Sequence, residues 1–343
     1  MWMRKLFAGL VTLALVATGC AGASRAEGSG DVLRLGLFPN LTHAPGYVAL
    51  ESGILDERLA PARVEVTYFN SGTDAGNALR AGSIDATYIG PGPAVGLYLE
   101  TDGAVAIVSG ATSGGASMVV RAGAEIRTPA DLTGKKVAVP GYGNTQDVAL
   151  RTWLHDHGLK ANDEGGDVSI AAPDNPELVG LFRAGHLDAA WEPEPWPSLL
   201  VAEGLAEPFV DEADLWPEGA FATTVLLVST AYLGAHGDVV RRLVEANAEA
   251  IRMIDDDAAE AKAAAQAGLV KAGAPSLDQA VLDAAWKRLA FTWDPVASSV
   301  VTGAEHAYAV GSLEREPSDL TGLFRLDELN AVLSRLGFEE VTA

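Results

Sequence analysis

The sequence predicts an α/β chain folded as two lobes, each a mainly parallel sheet flanked by helices, with a two-stranded hinge between them. Three observations predict it. The phrase "RAGSIDA" (Arg80 to Ala86) returns as "RAGHLDA" (Arg183 to Ala189). Around each copy the order strand, helix, strand, helix, strand recurs. Two more strand-like segments, "GASMVVRAG" (Gly115 to Gly123) and "FATTVLLVST" (Phe221 to Thr230), bracket the second copy as a double crossover.

The chain opens with Arg4 and Lys5, an apolar run from Leu6 to Ala17, and "TGC" ending at Cys20. A charged start, a short apolar stretch and small residues at the exit read as an export signal. The run falls short of the ~20 residues that span a bilayer. We assign 1–19 as a signal peptide and 20–31, small, polar and glycine-rich, as a flexible tether. The residues before Cys20 resemble a bacterial lipobox. That resemblance implies acylation of Cys20 and a lipid anchor on the extracytoplasmic face of the cell membrane. Cys20 is the only cysteine, so no disulfide framework or cysteine metal site can form. The net charge of −22 argues against a nucleic-acid partner and suits an exported protein.

Residues 32–343 are enough for two domains. "LRLGLFPNLTHAPGYVAL" (Leu33 to Leu50) reads as strand, turn and helix, and so does "KKVAVPGYGNTQDVALRTWL" (Lys135 to Leu154). Next come alternating β-branched strands, Val64 to Tyr68 and Val168 to Ala172. Each is followed by a polar turn with helix-capping residues: Ser71, Thr73 and Asp74, or Asp174 and Asn175. A short helix then closes on Gly82 or Gly185, where a left-handed cap is needed. "SIDATYIG" and "HLDAAW" supply the third strands. Such β-α-β-α-β units force parallel strands. From Gly237 onward, alanine and leucine at helical spacing predict helices that return to cover the first lobe. The expected lobes are 32–117 with 228–343, and 118–227.

Open α/β sheets bind ligands outside the carboxyl ends of their strands. Six turns fall at those ends, so facing lobes would line one cleft with them. They are "FPNLTHAPG", "NSGTDAG", "IGPGPAVGL", "SGATSGGAS", "PGYGNTQDVALR" and "AAWEPEPW". Glycine recurs in five, in four of them beside hydroxyl or amide residues. N–H groups at a helix start carry roughly half a positive charge and attract anions. A phosphate, sulfonate, nitrate or carboxylate could be held this way without arginine. Each residue alone also reads as an ordinary cap or turn; their shared edge singles them out.

"PNLTHAP", "GPGPA", "ATSGG", "GNTQDVALR" and "RAGHLDAAWEPEPW", in that order, resemble the substrate-binding proteins of ABC importers in the nitrate, taurine and aliphatic-sulfonate group. The resemblance runs from about Leu33 to the C-terminus. It implies the two-lobed periplasmic-binding-protein architecture, a monomer without cofactor, and delivery of a small ligand to ABC permease subunits. It also implies ligand contacts from Asn40, Leu41, Thr42, His43, Ser71, Gly72, Thr73, Gly92, Pro93, Ala94, Thr112, Ser113, Gly114, Asn144, Thr145, Gln146, Trp191 and Glu192. Trp191 would wall an organic tail. Glu192 would repel an anion unless the ligand also carried an amine. That points to a sulfonate or an amino-sulfonate such as taurine, with nitrate or a thiamine-precursor pyrimidine as alternatives. A ligand-sensing module using the same cleft is a further alternative.

Enzymatic readings do not assemble. There is no G-x-S-x-G elbow and no H-E-x-x-H helix. His155 and His157, two apart on a helix, face different ways. Glu192 and Glu194 flank Pro193 without a water-activating partner. The iron-linked cysteine motif of thiamine-pyrimidine synthases, which share this fold, is absent.

Overall fold

The computed structural model describes residues 32–343. The signal peptide, Cys20 and the tether, all read from sequence, lie outside the described residues. Among the described residues, the strands are β1 (Val32–Leu37), β2 (Arg63–Tyr68), β3 (Ala86–Ile89), β4 (Val105–Gly114), β5 (Ala116–Arg121), β6 (Lys136–Ala138), β7 (Ser169–Ala171), β8 (Ala189–Pro193), β9 (Ala206–Asp211), β10 (Ala222–Ser229) and β11 (Leu289–Phe291). They form two sheets, ordered β2-β1-β3-β10-β4-β11 and β7-β6-β8-β5-β9.

The repeated phrase has a structural cause. In the first sheet the Asp85 amide donates to the Arg34 carbonyl at 2.8 Å, and its carboxylate accepts the Arg34 amide at 2.9 Å. In the second, Asp188 and Lys136 make the same two bonds, at 2.8 and 2.9 Å. An arginine side chain closes each clamp, Arg34 on Asp85 and Arg121 on Asp188. The preceding turns also match: Gly82 and Gly185 adopt φ of 67° and 73°, left-handed values that suit glycine. The clamps fix register, with Leu35 opposite Ala86 and Val137 opposite Ala189 in parallel pairs.

Two expectations change. The sheets are mixed rather than mainly parallel. Parallel pairing is confined to β2-β1-β3 and β7-β6-β8, and antiparallel strands extend each beyond. The cause is an exchange: β5 lies beside β8, and β10, returning from the second sheet, lies beside β3. Residues 222–227, which the sequence reading gave to the second lobe, therefore belong to the first sheet. The chain crosses at Gly115 and again between Asp211 and Ala222.

The C-terminal helices also do more than cover the first lobe. Helices Gly237–Asp256 and Ala258–Lys271 pack on its helix Ala44–Glu51. Gln279–Trp286 packs on the second-lobe helix Trp196–Ala202, and Ala297–Ala309 lies between the lobes, against Pro91–Glu100 of the first and Thr145–Asp156 of the second. β11, between Gln279–Trp286 and Ala297–Ala309 in the chain, pairs antiparallel with the last residues of β4.

Leu33, Leu35 and Leu37 of β1 are fully buried, and β4 is buried at every position, as strands covered on both faces require. Helices cover one face of the first sheet through Val240, Leu243 and Val244, and the other through Leu79, Val95 and Val300. Met118, Leu150, Trp153 and Trp191 fill the second lobe.

Candidate functional site

Three helix starts converge where the lobes meet: Gly72–Arg80 and Pro91–Glu100 from the first, Thr145–Asp156 from the second. The lobes are closed. The Asn40 side-chain oxygen accepts the Trp196 indole N–H at 2.8 Å and the Asn175 amide at 3.0 Å. Leu41 N–H donates to the Glu194 carbonyl at 2.8 Å, and Gly92 N–H to the Thr145 hydroxyl at 3.1 Å. Arg288 pairs with Glu194 at 3.0 Å and with Asp211 at 2.9 Å.

Closure leaves a polar cavity of about 30 Å³ between the lobes, room for about two water molecules. Asn40, Thr42, His43, Gly72, Pro93, Asn144, Thr145 and Gln146, all expected from sequence, line it together. Phe38, Asn70, Gly90, Pro140, Pro193, Thr223 and Thr224 complete it. No carboxylate, lysine or arginine is among them. His43 is uncharged, because burial pushes its imidazole down to about 3.

Four buried polar atoms on this wall have no partner: His43 Nδ1, Asn144 Oδ1, Gln146 Nε2 and Thr224 Oγ1. Each such group costs roughly 1–3 kcal/mol, so the cavity is shaped for something polar. Asn144 brings its unpartnered Oδ1 to this wall from a helix start. It starts a helix yet does not cap it with its side chain. Nearby, Asp147 accepts the Gly143 N–H at 2.8 Å and is held by Arg151 at 3.0 Å.

The other expected residues stand back from this cavity, each for a local reason. Leu41 and Ala94 are buried in the apolar cores. Ser71 caps its helix by accepting Asp74 N–H at 3.2 Å, and Thr73 donates to the Tyr142 carbonyl at 3.4 Å. Thr112 donates to the Thr42 carbonyl at 2.6 Å, which fixes the first turn from behind. Ser113 accepts Phe221 N–H at 3.1 Å, and the Gly114 carbonyl accepts the Thr223 hydroxyl. Gly92 borders a neighbouring cavity. Trp191 is no ligand wall: its ring packs edge-on against Trp153 in the second core, and its indole N–H donates to Glu212 at 2.7 Å. Glu192 is fully buried with neither oxygen bonded, so burial pushes its carboxyl well up, but it lines neither cavity.

Sequence reasoning missed Thr223 and Thr224, because their strand was read as hinge. Two hydroxyls heading the apolar run "VLLV" were the available signal. Asn70 opens the turn "NSGTDAG", of which only Ser71, Gly72 and Thr73 were singled out for ligand contact.

The NMT1-like family model matches residues 28–269. The chain belongs to the NMT1-like family. A Brucella abortus protein classed as a binding protein is 30% identical to this NMT1-like chain over 205 residues, 59% of the chain and 60% of that relative. The chain thus spans about 60% of the length of the curated relatives it matches first. Two solved structures share the fold. The alkanesulfonate-binding protein of Xanthomonas axonopodis pv. citri, bound to MOPS, superposes with a TM-score of 0.70 at 21% identity, covering 84% of this chain and 96% of that one. The periplasmic nitrate-binding protein of Synechocystis PCC 6803 gives 0.71 at 19%, covering 90% and 89%. The NMT1-like chain therefore has the two-lobed architecture of periplasmic binding proteins.

Proposed function

We propose that this protein captures a small organic oxyanion, a sulfonate or amino-sulfonate, between its lobes and delivers it to an ABC permease rather than transforming it. The observation that carries the reading is the cavity wall. Four unpartnered polar atoms and three helix starts meet there without a charged side chain. Neutral donors and partial backbone charge suit an anion that must be released again. The relatives' affinity for alkanesulfonate and nitrate supports this class. Acylated Cys20 would hold the protein beside its permease.

A thermal-shift panel of taurine, ethanesulfonate, nitrate and a pyrimidine tests the reading. A bound ligand raises the melting temperature by mass action. The sulfonates should do so. A response to nitrate alone would narrow the site to an inorganic ion, and a response to the pyrimidine alone would replace the oxyanion reading.

A further inference from the structure

Beyond the Gly92–Thr145 hydrogen bond lies a second interlobe cavity, of about 40 Å³. Thr145 lines both cavities. The second is built differently: its wall includes Phe221, Trp216 and Val300, and its polar groups are Glu212, His306 and Ser299. Ser299 is already engaged, accepting Ala222 N–H at 2.9 Å and donating to the Val296 carbonyl at 2.8 Å. Trp216 and Phe221 stack, ring centres 5.7 Å apart and planes 11° apart.

Glu212 is the unexplained group. It is 1% exposed. One carboxyl oxygen accepts the Trp191 indole N–H at 2.7 Å, and the other, Oε1, makes no hydrogen bond of good geometry, although the Trp216 indole lies near enough to pull on the carboxyl. No lysine or arginine lines the cavity to answer it. A buried carboxyl oxygen beside an indole matches a protonated amine, by ion pairing and by cation–π attraction.

We propose that this cavity seats a protonated amine of the ligand, with Glu212 Oε1 as its acceptor and Trp216 as its aromatic wall. The ligand is then a small zwitterion: its oxyanion lies in the polar cavity, and its chain takes over the Gly92–Thr145 bond. This rests on the oxyanion reading above. Burial pushes the Glu212 carboxyl up to about 7, against the pull of the Trp191 and Trp216 indoles. An ammonium arriving beside it favours the ionised form, so amine binding near neutral pH releases a proton.

Calorimetric titration of the exported chain with taurine and with ethanesulfonate tests this. In the native protein, taurine should bind more tightly and release a proton, read from heats in buffers of different ionisation enthalpy; ethanesulfonate should not. Glu212→Gln should weaken taurine by about tenfold or more and ethanesulfonate by less than about threefold. Trp216→Leu should act in the same direction. Equal losses for both ligands, or selective loss in Glu192→Gln but not in Glu212→Gln, would overturn the amine site. If ethanesulfonate binds while taurine binds no better and releases no proton, the amine site fails and the oxyanion reading stands. If neither binds, both fail.

Discussion

Asn40 and Trp196, 156 positions apart, join the two lobes through a buried 2.8 Å hydrogen bond from indole to side-chain oxygen. Asn175 donates to that same oxygen at 3.0 Å. One acceptor thus serves two donors from the opposite lobe. Asn40→Ala leaves both donors buried without it, at roughly 1–3 kcal/mol each. The expected result is an opened chain, larger by small-angle scattering, whose ligand affinity falls by about tenfold or more.

Gly92 allows a close approach. A Cβ there would lie 3.1 Å from the Thr145 amide nitrogen and 3.2 Å from its Cα. Gly92→Val should therefore cost the closed form about 1–3 kcal/mol by overpacking. Affinity should drop while the unliganded melting temperature moves little. A variant that binds normally would show that the lobes close with more room than this geometry allows.

The paired clamps predict effects on stability without effects on binding. Asp85→Ala and Asp188→Ala each remove a carboxylate from a strand amide and an arginine. Each should lower unfolding free energy by about 1.5–3 kcal/mol, as charged hydrogen bonds do. Calorimetry on the fraction still folded should return native affinity, since neither residue lines the cavity.

The pH dependence has two opposed parts. Burial pushes Glu194 up to about 7, with Ser198 and Arg288 pulling the other way. The folded state then holds a proton that the unfolded chain, near 4.5, has lost. Glu194 therefore favours folding most below pH 4.5, and that advantage disappears as pH rises through 7. Glu212 has the same sign, and so does Glu192. His43 works in reverse. Its folded value of about 3 lies below 6.5, so its contribution is lost as pH falls from 6.5 toward 3. Between 6.5 and 7.5 mainly the carboxyls act, and the melting temperature should decline. Glu194→Gln should flatten that decline; an unchanged slope would remove Glu194 as a source.

Cys20→Ala tests the anchor directly. Expressed in a Gram-positive host, it should appear in the medium rather than the membrane fraction, with unchanged ligand affinity. Retention at the membrane would exclude an acyl tether.

Much of the scaffold was legible because its fixing groups are local. Asp85 and Asp188 sit inside a phrase written twice, and Gly82 and Gly185 mark the same turn in each copy. Helix starts at Asn144 and Gly90 were readable for the same reason. Sheet membership was not, because β5 and β10 are alike in composition and their exchange is decided by tertiary packing. Trp191 and Glu192 show the companion difficulty. β8 is buried at every position, so alternation along it does not say which face meets the cleft. The tryptophan turned to the core with Met118, and the glutamate was left without a partner.

The crossing pattern also sets an order of assembly. β5 to β9 are consecutive in the chain, whereas the other sheet needs β10 and then β11, which is made near the end. A polypeptide emerging N-terminus first can finish its middle portion as a unit while its opening strands still wait for distant partners. Truncation before Leu289 should therefore spare the middle and leave the opening portion vulnerable to protease.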